Sequence, residues 1–450
     1  MQESCARRTR YPYDPVSMNV TYRQVVALAV PVMLANISVP LVGIVDTAVM
    51  GRYASPDYIN AVAIASVLFS SIFWAFGFLR MGTGGLVAQA FGKADSDQIA
   101  LTTARSLSLA TVIGLLIILG GVLWFKAGMH FMAADARLSG LVFAYYRIRL
   151  FAAPITLSLY VVFGTLICLQ KMRSLLLLQL LLNLCNIALN ILLYKLTDWH
   201  VRGVATATVI SECLTLAFGL WLIRDHLLPI FYRWRELRDK FKQPAAFQRL
   251  WQISRDLFIR TTCLTLAFYS LTALSSQQGA YVLATNTILI HLLHLMAHWL
   301  DGFAHAAESL VGYAYGRRDK AGFKQAVRRC THAAALLALL LTLFYAFFGV
   351  ELVRLISHDP EVHRHADKYL WWIIIAPLIG VWGFMLDGIF IGITHTRAMR
   401  NGMLIALLCF VVSAYVLVPM MGNHGLWLAY YVLMLVRATT LALSFRRIAF

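Results

Sequence analysis

The chain has 450 residues, of which 60% are hydrophobic and only 13% are charged, and its mean hydropathy is +0.71. A soluble protein carries about 25% charged residues, so a soluble fold would leave large apolar patches exposed. Disorder is excluded because it requires low hydrophobicity. The seven cysteines are odd in number, which argues against a disulfide-stapled scaffold. The composition predicts a polytopic membrane protein.

Apolar runs long enough to cross a bilayer occur about twelve times along the chain. A transmembrane helix needs about 20 apolar residues, and these runs lack the alternation of a barrel wall. A basic tail, residues 1–23, comes first, and it is expected to be a cytoplasmic tail and not a cleavable signal. The predicted spans are 24–50, 58–91, 101–125, 141–168, 174–194, 203–223, 257–277, 281–315, 330–349, 369–394, 401–419 and 424–445.

The positive charge of the chain, +18 overall, predicts the orientation of these spans. With the N-terminus inside, 25 Lys and Arg residues fall in inner loops and tails and 8 in outer loops. The positive-inside rule therefore places both termini in the cytoplasm. The basic segment 224–252 carries aromatic residues beside its charges, and we interpret it as an interfacial segment on anionic lipid, not as a nucleic-acid site.

The chain also divides into two similar halves. The pattern Trp-x-x-Gly-Phe occurs at residues 74–78 and again at 299–303, and Ala-Pro opens both the fourth and the tenth span. Parallel repeats of this kind are typical of secondary transporters whose lobes rock about a central site. We therefore predict an all-α protein with a six-helix N-lobe, residues 24–223, and a six-helix C-lobe, residues 253–450, around a central cleft.

Several strings resemble those of the multidrug and toxic compound extrusion (MATE) family, in particular its DinF-like branch. They are PVMLANISVP (31–40), VDTAVMGR (45–52), NLCNIALN (183–190), GVATATVISE (203–212), DGFAHAAE (301–308) and LDGIFIG (386–392). The resemblance implies an antiporter that exports small organic, often cationic, compounds in exchange for H⁺ or Na⁺. It implies no cofactor beyond the transported ion.

The chain departs from this family at two places. Asn190 stands where the family's fifth span usually carries aspartate, and Ser174-Leu175 stands where a proline is usual. An asparagine cannot bind and release a proton. Titration in the N-lobe would then depend on Asp46, with Asn186 and Asn190 as hydrogen-bond partners.

Five acidic residues are predicted to lie within the membrane, where an ionised carboxylate costs at least about 2.5–3.5 kcal/mol. Asp46 is the preferred ion-coupling residue, because it follows Pro31 and Pro40, which are expected to free carbonyls and kink span 1. A position near the outer interface is the alternative. The five acids are Asp46, Glu212, Asp301, Glu308 and Asp387.

Three asparagines of span 5 follow the spacing i, i+3, i+7 and so share one helix face. They are Asn183, Asn186 and Asn190. One interpretation is a polar wall that meets Asp46, with Thr206 or Thr208 of span 6 as a further member. The other is that the asparagines only hold helices together.

Span 8 carries a row of ionisable side chains at spacings of three and four residues, which we call the seam. Its members are His291, His294, His298, Asp301, His305 and Glu308. The seam could line a wet cavity, relay protons or bind a transition metal. One straight helix offers too few converging ligands for a closed metal site, so we predict no metal.

Other residues within the spans receive weaker assignments. Asp387 is predicted to be a second cation or substrate carboxylate. Arg80 and Arg260 are predicted to be structural or gating residues paired with Asp301 and Glu308, and Glu212 a packing partner of spans 5 and 6. For the substrate cleft we also predict His298, His305, Phe268, Tyr269 and Met385.

Two alternatives to the antiporter stay open at this point. One is a flippase for lipid-linked precursors from the same superfamily, and the other is an intramembrane metalloenzyme that uses the seam histidines. For the preferred antiporter hypothesis, we expect that the protein is not an enzyme. We expect a monomer in the inner membrane of a bacterium, whose partners are a small organic substrate, a coupling cation and the bilayer.

Overall fold

The computed structural model describes residues 19–53, 56–131, 136–197 and 199–448, with side chains undescribed at 39–53, 56, 131, 136 and 194–195. Nearly all of these residues are helical, as expected for apolar segments that must satisfy every backbone hydrogen bond internally. The helices are α1 (Tyr22–Tyr53), α2 (Pro56–Ala75), α3 (Phe78–Gly92), α4 (Ser96–Phe131), α5 (Ser139–Phe151), α6 (Ala153–Cys168), α7 (Met172–Leu196), α8 (His200–Leu222), α9 (Arg224–Tyr232), α10 (Trp234–Phe241), α11 (Pro244–Gln277), α12 (Ala280–Arg317), α13 (Lys320–Ile356), α14 (Pro360–Gly392), α15 (Thr396–Met421) and α16 (Asn423–Phe445).

The predicted spans match these helices in order. Ten segments of the described chain are long and apolar enough to cross a membrane, and the bent pair α5–α6 gives an eleventh. That count does not include α1, of which only Tyr22–Ser38 is described with side chains and is found as a shorter apolar helix. The helix α1 (Tyr22–Tyr53) covers the predicted first span, so the eleven counted over the described residues do not contradict the predicted number of about twelve.

Two predicted spans are each built from two helices. The second span breaks between α2 and α3, and the fourth bends by 51° between α5 and α6. Pro154 lies in the first turn of α6, where a missing N–H costs nothing and the ring favours a new helix start. The bend allows side chains from both α5 and α6 to reach α8.

The predicted basic linker is helical and packs against the bundle. It contains α9 and α10, and α11 already begins at Pro244. The Arg105 guanidinium of α4 donates to the carbonyl oxygen of Phe241 over 3.1 Å, and Arg233 forms an ion pair with Asp97 at 2.9 Å. Burial and the nearby Lys171 lower the pKa of His226 in α9 to about 4. The linker therefore docks on α4 through specific polar contacts.

We call α1–α8 the N-half and α11–α16 the C-half. The two halves pack together where α3, α12 and α14 end, a region we call the closed end. The Gln89 amide of α3 donates to the Gly392 carbonyl of α14 over 3.0 Å and to the Thr394 hydroxyl over 3.1 Å. At Gly316 of α12, a Cβ atom would overlap the carbonyl oxygen of Gln89. Small residues allow such close backbone approach in membranes.

The start of the first helix joins the same end. The Val20 amide donates to the side-chain oxygen of Gln325 over 3.0 Å, and the Tyr22 hydroxyl lies 3.2 Å from His332 Nδ1. Both partners belong to α13, in the C-half. The N-half is thus fastened to the C-half at the closed end by α1 as well as by α3.

Replacing Gly316 by alanine should destabilise the protein, because the new Cβ would force α12 away from α3. Overpacking of this kind costs about 1–3 kcal/mol. Gly120→Ala of α4 is the matched control, since no heavy atom lies within 4 Å of the place that the new Cβ would occupy. Thermal unfolding in detergent should show a lower midpoint for G316A alone. Equal midpoints for the two variants would contradict the close approach.

Candidate functional site

Among the described residues, three clusters of charged side chains inside the bundle involve predicted site residues, and a further buried carboxylate, Asp256 of α11, pairs with Arg400 of α15 at 2.7 Å. A charge within a membrane is costly and is expected to face a partner or a wet cavity. Each cluster contains at least one arginine and at least one carboxylate, and the two lie on different helices. Two clusters lie within one half of the chain, and the third joins the N-half to the C-half.

The first cluster, in the N-half, is an ion pair between Arg149 of α5 and Glu212 of α8. Arg149 Nη1 lies 2.9 Å from Glu212 Oε1, and both side chains are 8% exposed. The Thr156 hydroxyl of α6 donates to Glu212 Oε2 over 2.7 Å, and the guanidinium lies 4.2 Å from the Phe69 ring. Glu212 therefore joins predicted spans 4 and 6, and the pairing of spans 5 and 6 predicted for it is wrong.

The second cluster, in the C-half, places two arginines on one carboxylate. Arg260 of α11 and Arg437 of α16 both donate to Oδ2 of Asp387 on α14. All three side chains are less than one-tenth exposed. The pairing of Arg260 with Asp301 or Glu308 is corrected in part, because its hydrogen-bonded partner is Asp387 while Asp301 adds only a charge interaction.

This arrangement bears on the predicted role of Asp387. Two guanidinium groups stabilise the ionised carboxylate, and they bring positive charge to the place where a bound cation would lie. Buried ion pairs with several hydrogen bonds hold helices in a fixed arrangement. The geometry favours a structural carboxylate between α11, α14 and α16 over a second cation site.

The third cluster joins the two halves, and we call it the cross-half cluster. Arg80 of α3 points at the His305 ring of α12, with Nη1 2.7 Å from Nε2 and 3.3 Å from Nδ1. His305 Nδ1 lies 3.0 Å from Glu308 Oε2, and the Cys168 thiol of α6 donates to Glu308 Oε1 over 3.6 Å. Arg80 thus reaches across to the seam, but its described partner is His305 and not the predicted Asp301 or Glu308.

The seam of α12 becomes more buried along its length. His291 and His294 are exposed, His298 and Asp301 are partly buried, and His305 and Glu308 are 8% and 1% exposed. The described residues contain no group of three or more His, Cys, Asp or Glu side chains that could hold a metal ion. The seam is spread along the helix and does not converge on one point.

Neighbouring helices flank the middle of the seam. The Asn36 amide of α1 donates to the His298 carbonyl over 3.4 Å, and the Phe268 ring of α11 lies 5.2 Å from the His294 ring. Phe268 also lies 5.9 Å from the Tyr430 ring. The seam therefore runs between α1 of the N-half and α11 of the C-half.

The asparagines of α7 form hydrogen bonds with both neighbouring helices. Asn183 donates to the Ser38 hydroxyl of α1 over 2.7 Å, and Asn186 donates to the Thr208 hydroxyl of α8 over 2.9 Å. Asn190 donates to Asn186 over 3.1 Å. Both the Thr206 and the Thr208 hydroxyl donate to a carbonyl of their own helix, but Thr208 alone of the two also accepts from an asparagine of α7 in the described contacts, so the wall includes Thr208 and the assignment of Thr206 to it is corrected.

Several predicted site residues fall outside these contacts. Asp46 and Pro40 lie within the backbone of α1, but their side chains are outside the described residues, whereas Pro31 is partly buried. Met385 is 2% exposed in the apolar core, so its prediction as a cleft residue is wrong. Tyr269 is 57% exposed on α11.

Four members of the clusters were not predicted from the sequence. They are Arg149, Thr156, Cys168 and Arg437. The two arginines lie inside predicted spans, so the cost of an intramembrane charge would have singled them out as it did Arg80. Thr156 and Cys168 carry no such signal, because serine, threonine and cysteine are ordinary residues of membrane helices.

Replacing Asp387 by asparagine should strongly destabilise the protein, because Arg260 and Arg437 would be left buried without their shared carboxylate. Breaking a buried ion pair on one side costs about 3–5 kcal/mol. Thermal unfolding in detergent measures the loss, and Asp367→Asn, at an exposed position of the same helix, is the matched control. The double variant D387N/R437Q should recover part of the loss. A stable D387N protein would show that the carboxylate is not the required counter-charge.

Comparison with known proteins identifies the family. The MatE family model matches residues 31–192 and again residues 257–419, once in each half. The chain is 36% identical over 420 residues to the DNA damage-inducible protein F of Escherichia coli (strain K12), covering 93% of this chain and 91% of that protein. It is 22% identical to the probable multidrug resistance protein NorM of Neisseria meningitidis, covering 76% and 74%.

Solved structures share the fold over nearly the whole chain. A MOP superfamily transporter from Pyrococcus furiosus superposes with a TM-score of 0.82 at 21% identity, covering 95% of both chains. A multidrug resistance MATE family transporter in an outward-facing conformation gives 0.83 at 21% identity, with the same coverage. Because the family model matches both halves and a 36%-identical relative covers nearly the full length, this chain belongs to the MatE family of multidrug and toxic compound extrusion transporters.

Proposed function

We propose that this transporter is a secondary active antiporter that exports small organic compounds in exchange for H⁺ or Na⁺. One observation carries the proposal: the ionisable seam of α12 begins with exposed histidines and ends buried where the halves meet. A proton or cation that enters such a row would change charge at the contact between the halves. That is the physical link between ion binding and conformation which antiport requires.

The N-half and the C-half would be the two lobes of an alternating-access transporter. The double family match supports this division, which corresponds to the predicted lobes 24–223 and 253–450. The closed end would face the cytoplasm, because the predicted inner loops carry most of the Lys and Arg residues. Both termini would then be cytoplasmic, in the inner membrane of a bacterium, with the protein acting as a monomer.

Within the cleft, the N-lobe would contribute ion coupling and the C-lobe a substrate wall. Asp46 is the proposed coupling carboxylate, supported by the asparagines of α7, which already bond to α1 through Ser38. Asp301 and His298, both partly buried on α12, would face the substrate together with Phe268. Aromatic side chains suit a surface that must accept several compounds.

The first test compares two driving forces in everted membrane vesicles. A pH gradient and a sodium gradient are imposed separately, and we expect one of them to drive ethidium uptake. The gradient that drives uptake identifies the coupling ion. Vesicles without the protein are the control. If neither gradient drives uptake and the protein instead moves a fluorescent lipid-linked sugar between leaflets, the antiporter proposal fails and the flippase alternative takes its place.

The variant Asp46→Asn should reduce gradient-driven ethidium uptake to the level of vesicles without the protein. An amide has the shape of the carboxylate but does not bind and release a proton. Asp57→Asn, at an exposed position at the start of α2, is the matched control and should transport normally. Both variants should purify in normal yield. Uptake at the wild-type rate by D46N would refute Asp46 as the coupling residue.

A further inference from the structure

A cavity of about 480 Å³ opens at the closed end of the C-half, between α11, α12 and the turn that joins α14 to α15. Its volume falls within the range of about 300–1,000 Å³ that small-molecule sites occupy. None of the members of the three charged clusters lines it. The polar part of its lining includes Arg249, Gln252, Asp256, Tyr315, His395 and Arg397.

Two arginines of this cavity have no carboxylate partner. Arg249 of α11 reaches Gln89 Oε1 and the Thr394 hydroxyl, each at 3.5 Å, which is longer than an ordinary hydrogen bond. Gln89 and Thr394 already bond to each other over 3.1 Å. Arg397 is exposed in the first turn of α15. Within the described part of the chain, neither arginine forms an ion pair, so both guanidinium groups are available to an anion.

The acidic residue of the lining, Asp256 of α11, is already compensated. Its Oδ1 accepts from Arg400 over 2.7 Å and lies 3.4 Å from Arg255 Nη2, and its Oδ2 accepts from the Thr396 hydroxyl over 3.3 Å. The Asp256 side chain is only 1% exposed. These bonds join α11 to the first turn of α15 and so fix the shape of the cavity. Because two other guanidinium groups meet this carboxylate, it leaves the charge of the cavity arginines uncancelled.

We propose that this cavity binds a phosphate group, carried by a lipid headgroup or by a soluble compound, with Arg249 and Arg397 as its ligands. The planar guanidinium group donates two parallel hydrogen bonds to phosphate oxygens, and arginine is the preferred residue for such recognition. The ring of His395, in the same lining, can donate one more hydrogen bond. The first turn of α15 adds peptide N–H groups that favour an anion, but the two arginines carry the proposal.

The position of the cavity lets a phosphate group enter from the membrane surface or from water. Arg249, Gln252 and Asp256 share one face of α11 by their spacing of three and four residues. Trp251, on another face, is 56% exposed, and tryptophan concentrates where a membrane meets water. The cavity thus lies near the level of the headgroups, at the end proposed to face the cytoplasm. Basic pockets between helices on that side suit anionic headgroups.

An occupied site would border the contact between the two halves. Gln89 of α3 donates to the Gly392 carbonyl of α14, and its side-chain oxygen is also the group that Arg249 reaches across this contact. A phosphate group that draws Arg249 into the cavity leaves the bond from Gln89 to Gly392 in place. Binding therefore does not require the closed end to open, and it is measurable without substrate or ion gradient.

The test measures the binding of two probes to the purified full-length protein in an uncharged detergent. Dihexanoyl phosphatidylglycerol carries a phosphate diester on short acyl chains, whereas glycerol 3-phosphate carries a phosphate group without acyl chains. Isothermal titration calorimetry gives the dissociation constants at about 0.15 M salt, where a Debye length of about 8 Å screens the wider basic surface. We expect saturable binding of at least one probe to one site. Dihexanoyl phosphatidylcholine, whose choline neutralises the phosphate, should bind more weakly than the phosphatidylglycerol.

Arginine variants test the cavity itself. Arg249→Gln and Arg397→Gln should each raise the dissociation constant at least about tenfold, because each removes charge-assisted hydrogen bonds to the phosphate. Both positions are exposed, so the variants should fold. The matched control for the double variant R249Q/R397Q is R235Q/R328Q, which removes the same charge from exposed positions of α10 and α13. The control should bind like the wild type.

Each outcome decides the proposal. Binding of the phosphatidylglycerol alone supports the site and identifies a lipid headgroup as the source, whereas equal binding of glycerol 3-phosphate supports it and identifies a soluble compound. Binding of neither probe overturns it, as does equal affinity of the wild type and R249Q/R397Q. An equal loss in R235Q/R328Q also overturns it, because surface charge would then explain the binding. If one single variant fails to fold, the other still decides. Because these titrations use neither ethidium nor a gradient, they stand apart from the test of antiport.

Discussion

The structure depends on one constraint: a charged side chain inside a bilayer must be paired or hydrated. The bundle meets it by placing arginines against carboxylates on other helices. Arg149 ties α5 to α8, Arg260 and Arg437 tie α11 and α16 to α14, and Arg80 ties α3 to α12. The first two clusters stabilise one half each. The third crosses between halves, and it alone includes a histidine as the bridging group.

The sequence predicted the architecture well, because span length and hydropathy depend on the bilayer and not on tertiary detail. It paired Arg80 with Asp301 and Glu308 of the α12 seam, whereas the described partner is His305, which lies between those two residues on the same helix face. It could not predict that Asp387 is shared by two arginines, because the partner of an intramembrane charge is set by helix packing. The sequence also could not decide between Thr206 and Thr208 as the threonine beside the asparagines, because their two-residue spacing puts them on different faces and only the position of α7 decides between them.

Family membership also narrows the interpretation of the seam. The chain belongs to a family of membrane transporters, so the metalloenzyme alternative is wrong. The histidines at the exposed end lie near aromatic side chains such as Phe268, whereas His305 lies among charges. One helix thus carries two chemically different regions. The exposed region is bordered by aromatic rings, and the buried region by charged groups.

The pairing of charges has a consequence for the membrane potential. Arg80 lies beside His305 and Glu308, Arg149 pairs with Glu212, and Arg260 and Arg437 share Asp387 with Asp301 near Arg260, so basic and acidic side chains occur in equal numbers in these clusters. Moving one elementary charge through the field costs about 2.3 kcal/mol per 100 mV, so helices that carry balanced groups shift at little electrical cost. The motion of these clusters alone would depend little on voltage. An added proton or ion would make it depend on the potential across the membrane.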